Sequence, residues 1–392
     1  MHITPGFQLQ FSRTRLVCRP GAVSSLAKEL EPIGAKRWML VSGTRTAQGL
    51  AAHAVRQALG PLLVAQWVGV PQHSGVSTVS AMADHARAHA VDGFVAVGGG
   101  SASDSAKAAA ILLAEGGQLA DHANVFHPPD RYLQQVLTVP KLPIVAVPTT
   151  LSAAEVTPGL GIRDDDGHKL VFWDPGVVPR LILLDAAMCT DVPTDIFAST
   201  GMNALAHAIE GMYSRMRNPV SEALALQSIG YLRDALPQVV DAPMNVLARE
   251  RALIGAYLSG LVISNARVGI HHGICHGLGS MGGLSHGLAN AILLPHAMRF
   301  NLEAARQSLA LAATAFDPQA HTLPAPEAAL AAVSAVSQLQ QRLGLPTRLR
   351  DAGLDQSLLD RLAHHAMSDR GLYFNPRLAT QDEVLQLLEA AW

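Results

Sequence analysis

The stretch Val95-Ala96-Val97-Gly98-Gly99-Gly100-Ser101-Ala102-Ser103-Asp104-Ser105-Ala106-Lys107 runs from a β-branched segment through three glycines into an Ala-rich one. A short apolar run stopped by glycine reads as a buried strand, and the Ala-rich run after it reads as a helix. Glycines at this joint lack the Cβ that would keep an anion away from the backbone N–H groups, and the helix N-terminus beyond them favours negative charge. The order strand, glycine turn, helix predicts a pyrophosphate site on a parallel sheet, although the spacing is not the GxGxxG of the common dinucleotide fingerprint. A tight structural turn capped by Ser101 or Ser103 is the alternative.

The same alternation recurs on either side. Arg37–Ser42 precedes a helical 46–59, Leu62–Val70 precedes a helical 76–90, and Phe94–Val97 precedes a helical 103–115. Pro143–Val147 and Leu181–Asp185 read as further buried strands. Strands alternating with helices predict a Rossmann-like parallel sheet covered on both faces. Gly161–Arg163 and Lys169–Trp173 flank Asp164-Asp165-Asp166-Gly167, which reads as a hairpin with a solvated turn rather than a metal site. Thr149, Thr150 and Ser152 follow the Pro143–Val147 strand, where open parallel sheets bind ligands, and their hydroxyls suit ribose or phosphate oxygens or a helix cap. In the first strand-to-helix turn, Gly43 and Arg45 stand where an acid would accept ribose hydroxyls and repel a 2′-phosphate; lacking one, the turn accommodates NADP as well as NAD.

After Pro193 the texture changes to long Ala/Leu runs at helical spacing, among them 220–235, 245–263, 326–343 and 380–391. This predicts an α/β domain over 1–192 and an all-α domain over 193–392. The 392 residues and a hydrophobic fraction of 49% support two buried cores. Charged residues make up 15% of the chain and the net charge is −2, so neither nucleic acid nor an acidic membrane surface is indicated as a partner, and small-molecule chemistry is. Three widely separated cysteines, Cys18, Cys189 and Cys275, do not form a disulfide framework, which fits a reducing compartment. With no signal-like N-terminus and no apolar run of about 20 residues, the expectation is a cytoplasmic protein.

Two polar sets interrupt the apolar helical half. In Gly201–Glu210, GMNALAHAIE, Asn203 and His207 leave one helical face a turn apart. In Gly269–Gly287, GIHHGICHGLGSMGGLSHG, His272 and His276 share a face, and His286 follows a glycine-rich break. A buried imidazole needs a metal, a carboxylate or a substrate beside it, and so many in one apolar stretch predict a site. Cys275 reads as a small buried apolar residue. Arg267, just before the cluster, is a candidate partner for an anionic substrate.

These motifs, GGGSASDSAK at 98–107, PTTLSAAE at 148–155, GMNALAHAIE, HHGICHGLG at 271–279 and SHGLANAILLPHAMRFN at 285–301, resemble the iron-containing alcohol dehydrogenase superfamily over almost the whole chain. The resemblance implies an N-terminal NAD(P)-binding domain, a helical metal-bearing domain, a catalytic cleft between them, and a homodimer. It places Gly98, Gly99, Gly100, Ser101 and Asp104 in the pyrophosphate loop, Thr149, Thr150 and Ser152 in a second nucleotide segment, and Lys169 on a hairpin near the cofactor. His207, His272 and His286 fall on metal-ligand positions for iron or zinc, and His276 lies near nicotinamide and substrate. The fourth ligand of the superfamily is an aspartate, and here it is Asn203. GMNALAHAIE and HHGICHGLG resemble the maleylacetate reductase branch, which carries asparagine at this position and is described as metal-free; GGGSASDSAK and SHGLANAILLPH look like the alcohol dehydrogenases.

The expected function is hydride transfer between NAD(P)H and a small carbonyl or alcohol, most specifically reduction of a maleylacetate-like keto acid. His276, His272 and Asn203 are the expected catalytic residues. A metal-dependent alcohol dehydrogenase is the alternative within the family. A dehydroquinate-synthase-like lyase or an idle nucleotide-binding protein are more distant ones.

Overall fold

A computed structural model describes residues 7, 9, 11–72, 74–129, 131–165 and 167–392. Asp166 of the expected hairpin turn lies outside them. The chain divides into two compact units, one of Phe11–Val125 with Tyr132–Val192, the other of Pro193–Trp392 with the short segment Phe126–Arg131.

The first unit is built on six parallel strands: β1 (Arg15–Cys18), β2 (Trp38–Ser42), β3 (Leu63–Val68), β4 (Gly93–Gly98), β5 (Ile144–Pro148) and β8 (Leu181–Leu184). A separate antiparallel hairpin pairs β6 (Gly159–Arg163) with β7 (Lys169–Trp173), placing Gly159 opposite Trp173 and Arg163 opposite Lys169. The sheet order is β1-β8-β5-β4-β2-β3. Strands β2, β4, β5 and β8 are buried along their whole length, as their continuous apolar sequence requires when helices cover both faces. One face packs Met39, Val41, Phe94 and Ala96 beneath α2 (Val76–Ala88) and α3 (Gly100–Glu115); the other packs Trp38, Leu40, Val95 and Val147 beneath α1 (Leu50–Leu59).

From β2 the chain moves outward to β3, then returns past β2 to β4 and continues the other way through β5. The order therefore reverses between β2 and β4, and the crevice beyond their carboxyl ends is where such sheets bind ligands. Those ends are Ser42 and Gly98. The expected helix 46–59 is two pieces, Thr44–Gln48 and α1, because the chain turns at an extended Gly49. Helix α3 begins three residues earlier than the expected 103, at Gly100, so the glycines themselves form its N-terminus. Edge strand β1 had no expectation from sequence; four residues give too short a periodicity to read.

The second unit is helical. Its site lies on α4 (Thr194–Tyr213), α7 (Ile270–Ser280) and α8 (His286–Phe300), with α5 (Pro219–Asp241), α6 (Val246–Ala266), α9 (Arg306–Phe316), α10 (Ala325–Arg342), α11 (Leu359–Ala366) and α12 (Gln381–Ala391) around them. Phe197 to Tyr213 of α4 is buried apart from Thr200, so this helix is enclosed all round and its polar side chains, Asn203, His207 and Glu210 among them, need partners inside the protein. Between α6 and α7 the chain bends by 109°. The bend is made at Arg267, a half-buried residue held in the left-handed region at φ +67°. No single helix among the described residues is long and apolar enough to cross a membrane.

Candidate active site

In the first unit the β4–α3 joint forms a bare backbone cradle. Gly98 takes φ +130°, a conformation open to glycine, and a Cβ there would lie 3.3 Å from the Thr46 side chain. A Cβ on Gly99 would lie 3.1 Å from Thr150 Oγ1 and one on Gly100 3.3 Å from Ser152 Oγ. Three strand ends thus face one another: Thr46, outside the expected set, comes from the segment after β2, and the expected Gly98–Gly100 and Thr150 with Ser152 come from those after β4 and β5. The Thr150 hydroxyl is buried with no partner in the protein. A small depression beside it is lined by Arg45, Thr46, Gly49, Thr149, Thr150 and Asp191. Side-chain-free backbone at a helix N-terminus, an orphaned hydroxyl and a nearby arginine fit the pyrophosphate and ribose of a dinucleotide. Neither Ser101 nor Ser103 caps α3, so the structural-turn alternative lacks its cap.

Asp104 and Lys169 sit to one side of this cradle. Asp104 Oδ2 accepts the Gly161 N–H at 3.2 Å, and the Lys169 chain crosses the hairpin to lie over Gly161. Burial raises the Asp104 carboxyl, with Lys107, the Gly161 N–H and Lys169 pulling it back. Lys107, the last residue of the glycine motif, does not face the cradle. Its fully buried Nζ donates to the carbonyls of Ala154 and Thr157, both at 2.6 Å, and of Gly159 at 3.1 Å. It pins the segment after Ser152 to α3. Burial lowers this amine to about 8 and lifts the neighbouring Glu155 to about 7.

In the second unit Asn203, His207 and Glu210 lie at positions i, i+4 and i+7 of α4, on one buried face. Helix α7 presents His271, His272, Cys275 and His276, and His286 is the first residue of α8. Gly287 fixes that last placement: a Cβ there would sit 2.9 Å from the Ser199 backbone and 3.0 Å from that of Thr200, so only glycine lets α8 start one turn from Asn203. The rings form a chain, His207 stacked on His272 at 4.7 Å, His272 tilted against His286 at 5.7 Å, and His276 stacked on His286 at 6.0 Å. Asn203 Oδ1 lies 3.3 Å from His272 Nε2.

Glu210 orders this arrangement, and the sequence reading passed over it. The α6–α7 bend aims the N-terminus of α7 at its carboxylate, where Oε1 accepts the N–H groups of Gly269 at 2.8 Å and His271 at 3.1 Å. Oε2 accepts from His272 Nδ1 in a very short contact. Burial alone would raise this carboxyl, but the His272 and His271 contacts and hydrogen bonds outweigh it and hold it below the usual range. Burial depresses His272 to about 4, despite Glu210, so the ring is neutral. With its proton on Nδ1, the lone pair of Nε2 points at Asn203. Burial and the surrounding imidazoles drive His207 well below its ordinary range too, while its Nδ1 lies 3.5 Å from Ser259 Oγ. Asn375 supplements the same helix N-terminus: its Oδ1 is 3.4 Å from the Ile270 N–H and is paired reciprocally with Asn301 through bonds of 2.9 and 2.8 Å.

Glu210, His271 and His272 offer ligand atoms within 4.8 Å of one another. Their atoms are already committed, since Glu210 receives three donors and His271 Nε2 donates to the Asn290 carbonyl at 3.0 Å. An ion would sit on the other edge of His272. Two ligands about 2.1 Å from a tetrahedral ion lie roughly 3.4 Å apart, so the separation of Asn203 Oδ1 and His272 Nε2, 3.3 Å, fits shared coordination. Neutral imidazoles and an amide oxygen are competent donors, and the carboxylate behind His272 is the usual outer partner of a ligating histidine. The residues present fit a divalent metal, without the anionic ligand that would hold it strongly. Cys275 is buried, with Sγ 3.7 Å from His271 Nε2.

Comparison with known proteins agrees with this geometry. Residues 13–186 match the family model described as iron-containing alcohol dehydrogenase, and residues 197–392 match that of the Fe-containing alcohol dehydrogenase family, C-terminal. The chain is 32% identical over 378 residues to the lactaldehyde reductase of Escherichia coli K12, covering 95% of this chain and 96% of that one. It is 33% identical over 389 residues to maleylacetate reductase 2 of Cupriavidus pinatubonensis, covering 98% and 96%. Among solved structures, a 1,3-propanediol oxidoreductase superposes with a TM-score of 0.92 at 28% identity over 99% of this chain and all of that one. The maleylacetate reductase of Agrobacterium tumefaciens does so with 0.82 at 28% identity, over 100% of this chain and 99% of that one.

Proposed function

The chain belongs to the iron-containing alcohol dehydrogenase family, whose members oxidise alcohols or reduce carbonyls, and on that premise we propose that it reduces a small keto acid of the maleylacetate type with NAD(P)H. The cradle of Gly98, Gly99 and Gly100 with Ser101 binds the pyrophosphate. Thr149, Thr150 and Ser152 take ribose and phosphate oxygens, and Asp104 and Lys169 order the side nearer the hairpin. Gly43 and Arg45 admit a 2′-phosphate. The bound nicotinamide supplies the hydride.

At the imidazole site the Asn203 amide orients the substrate oxygen, and His276 gives it a proton through Nε2 as the carbonyl becomes an alcohol. Arg267, at the bend just before Gly269, is the partner proposed for the substrate's carboxylate. Iron or zinc held by Asn203, His207, His272 and His286 would supply Lewis-acid polarisation of the same oxygen. The proposal rests on one observation above the rest: the Asn203 amide stands with Oδ1 3.3 Å from the Nε2 of a histidine whose other nitrogen is bound by Glu210. With the amide turned about Cγ so that its NH2 takes the place of Oδ1, asparagine donates to that lone pair, which a carboxylate cannot do, and no cation is needed between the two groups. The second reading, a metal-dependent alcohol dehydrogenase, is favoured by the 3.3 Å ligand-like spacing.

The test is NAD(P)H consumption with maleylacetate, lactaldehyde and simple aldehydes, by the wild type and by His276→Gln. Turnover of maleylacetate in preference to the aldehydes, lost in the variant, supports the proposal. Preference for the uncharged aldehydes overturns the substrate class, and turnover without net cofactor loss would point to lyase chemistry instead.

A further inference from the structure

We propose that Asp369, a residue in none of the recognised motifs, is the positioning residue that sets which nitrogen of His276 handles the substrate's proton; the inference rests on the proton role of His276 given above. Asp369 Oδ2 lies 2.7 Å from His276 Nδ1, and its other oxygen, Oδ1, accepts the Gly371 N–H at 2.7 Å. Both side chains are about one-fifth exposed, so the contact is sheltered but next to solvent. The approach depends on small residues in α7. A Cβ on Gly273 would lie 2.6 Å from Leu372 and 3.4 Å from Asp369 Oδ1, and one on Gly277 3.1 Å from His365. The glycines one turn apart in HHGICHGLG therefore let α11 and the segment after it close against the helix and deliver a carboxylate to His276.

The consequence is a fixed tautomer. A carboxylate accepts and does not donate, so Nδ1 carries a proton whenever this contact is made, and Nε2 is left to exchange one. In reduction the doubly protonated ring gives its Nε2 proton to the carbonyl oxygen while the cofactor's hydride adds to carbon. The ring returns to neutral with Nδ1–H still on Asp369, and its next proton comes from solvent. In alcohol oxidation the same Nε2 lone pair receives the hydroxyl proton. The His286 ring lies nearly parallel to that of His276, with centroids 6.0 Å apart.

Asp369→Asn reverses the assignment with little change of shape. Each oxygen of Asp369 meets a donor, Oδ1 the Gly371 N–H and Oδ2 His276 Nδ1, whereas the amide has one oxygen. The Gly371 N–H cannot change, so the amide oxygen stays with it and the NH2 group turns to His276, whose Nδ1 must then be bare. The measurement is the long-range 1H–15N spectrum of histidine-labelled full-length protein, with the His276 signals identified by their loss in His276→Gln, together with kcat and the KM of cofactor and carbonyl. The expected result is protonated Nδ1 in the wild type and protonated Nε2 in Asp369→Asn. With it, kcat falls about 10²–10⁴-fold, the range that positioned proton transfer supplies, while the cofactor KM stays within about twofold. Wild-type His276 with bare Nδ1 would overturn the proposal even if the variant failed to fold, as would an unchanged tautomer in the variant. A reversed tautomer with unchanged kcat would overturn the proton role of His276 instead, and undiminished turnover by His276→Gln would overturn it without reference to Asp369.

Discussion

Replacing Asn203 by aspartate isolates the choice on which the site turns. In the native chain Asn203 Oδ1 lies 3.3 Å from the Nε2 of His272, both are buried, and the amide turned about Cγ presents its NH2 to that nitrogen's lone pair. A carboxylate there, with no cation present, meets a lone pair and a low-dielectric surround, which costs about 2 kcal/mol as an unsatisfied buried polar group. For a unit of some 200 residues, about 2–4 °C of melting temperature is lost per kcal/mol, so the metal-free variant should melt about 5 °C lower. With a divalent ion the sign reverses. Unit charges about 4 Å apart at an effective dielectric near 20 attract by roughly 4 kcal/mol; halving this for desolvation leaves about 2 kcal/mol, or about 30-fold tighter binding. Wild type and Asn203→Asp, both stripped by chelator, would be titrated with zinc or ferrous iron against a chromophoric competitor, and melted with and without the ion. Equal metal affinity and equal melting of the stripped proteins would refute the placement of Asn203 at the ion position and the tautomer assigned to His272.

Three further outcomes follow from the same geometry. Glu155 is buried beside Lys107 and lifted from 4.5 to about 7. A raised carboxyl contributes stability that is complete below pH 4.5 and lost as pH rises through about 7, some 3 kcal/mol in all; urea midpoints at pH 4.5 and 8 should show this slope in the wild type and lose it in Glu155→Gln. Gly98→Ala puts a side chain at φ +130° and against Thr46, so NADPH fluorescence titration should show cofactor affinity reduced at least about tenfold, with stability down about 1–3 kcal/mol. Gly43→Asp places an acid in the first strand-to-helix turn and should shift kcat/KM from NADPH towards NADH by about tenfold or more, and an unchanged ratio would remove this turn from cofactor choice.

Much of this was legible because the signals were local. The β4–α3 joint needed only its glycines and flanking periodicity, and the helical spacing of Asn203 with His207 placed both on one face of α4. The reversal of strand order between β2 and β4 was not legible, since no local pattern records which strands become neighbours. Glu210 stood inside the quoted GMNALAHAIE and could have been found by extending the face three residues beyond His207. Its partner is the N-terminus of α7, aimed there by a 109° bend at Arg267, and left-handed backbone at an arginine has no sequence signature. Asp369 lies 93 residues from His276, and only tertiary packing through Gly273 and Gly277 joins them. Lys107 looked like part of a phosphate motif; the three carbonyls that hold it come from the segment after Ser152, and no spacing within 98–107 points to them.

The central claim is a reductase site that Asn203 and the histidines complete by themselves. It is tested most directly by the metal content of the purified protein together with its NAD(P)H-dependent reduction of maleylacetate before and after chelator. Substoichiometric metal and a rate that survives chelation are the expected results. A rate abolished by chelator and restored by iron or zinc would contradict the claim.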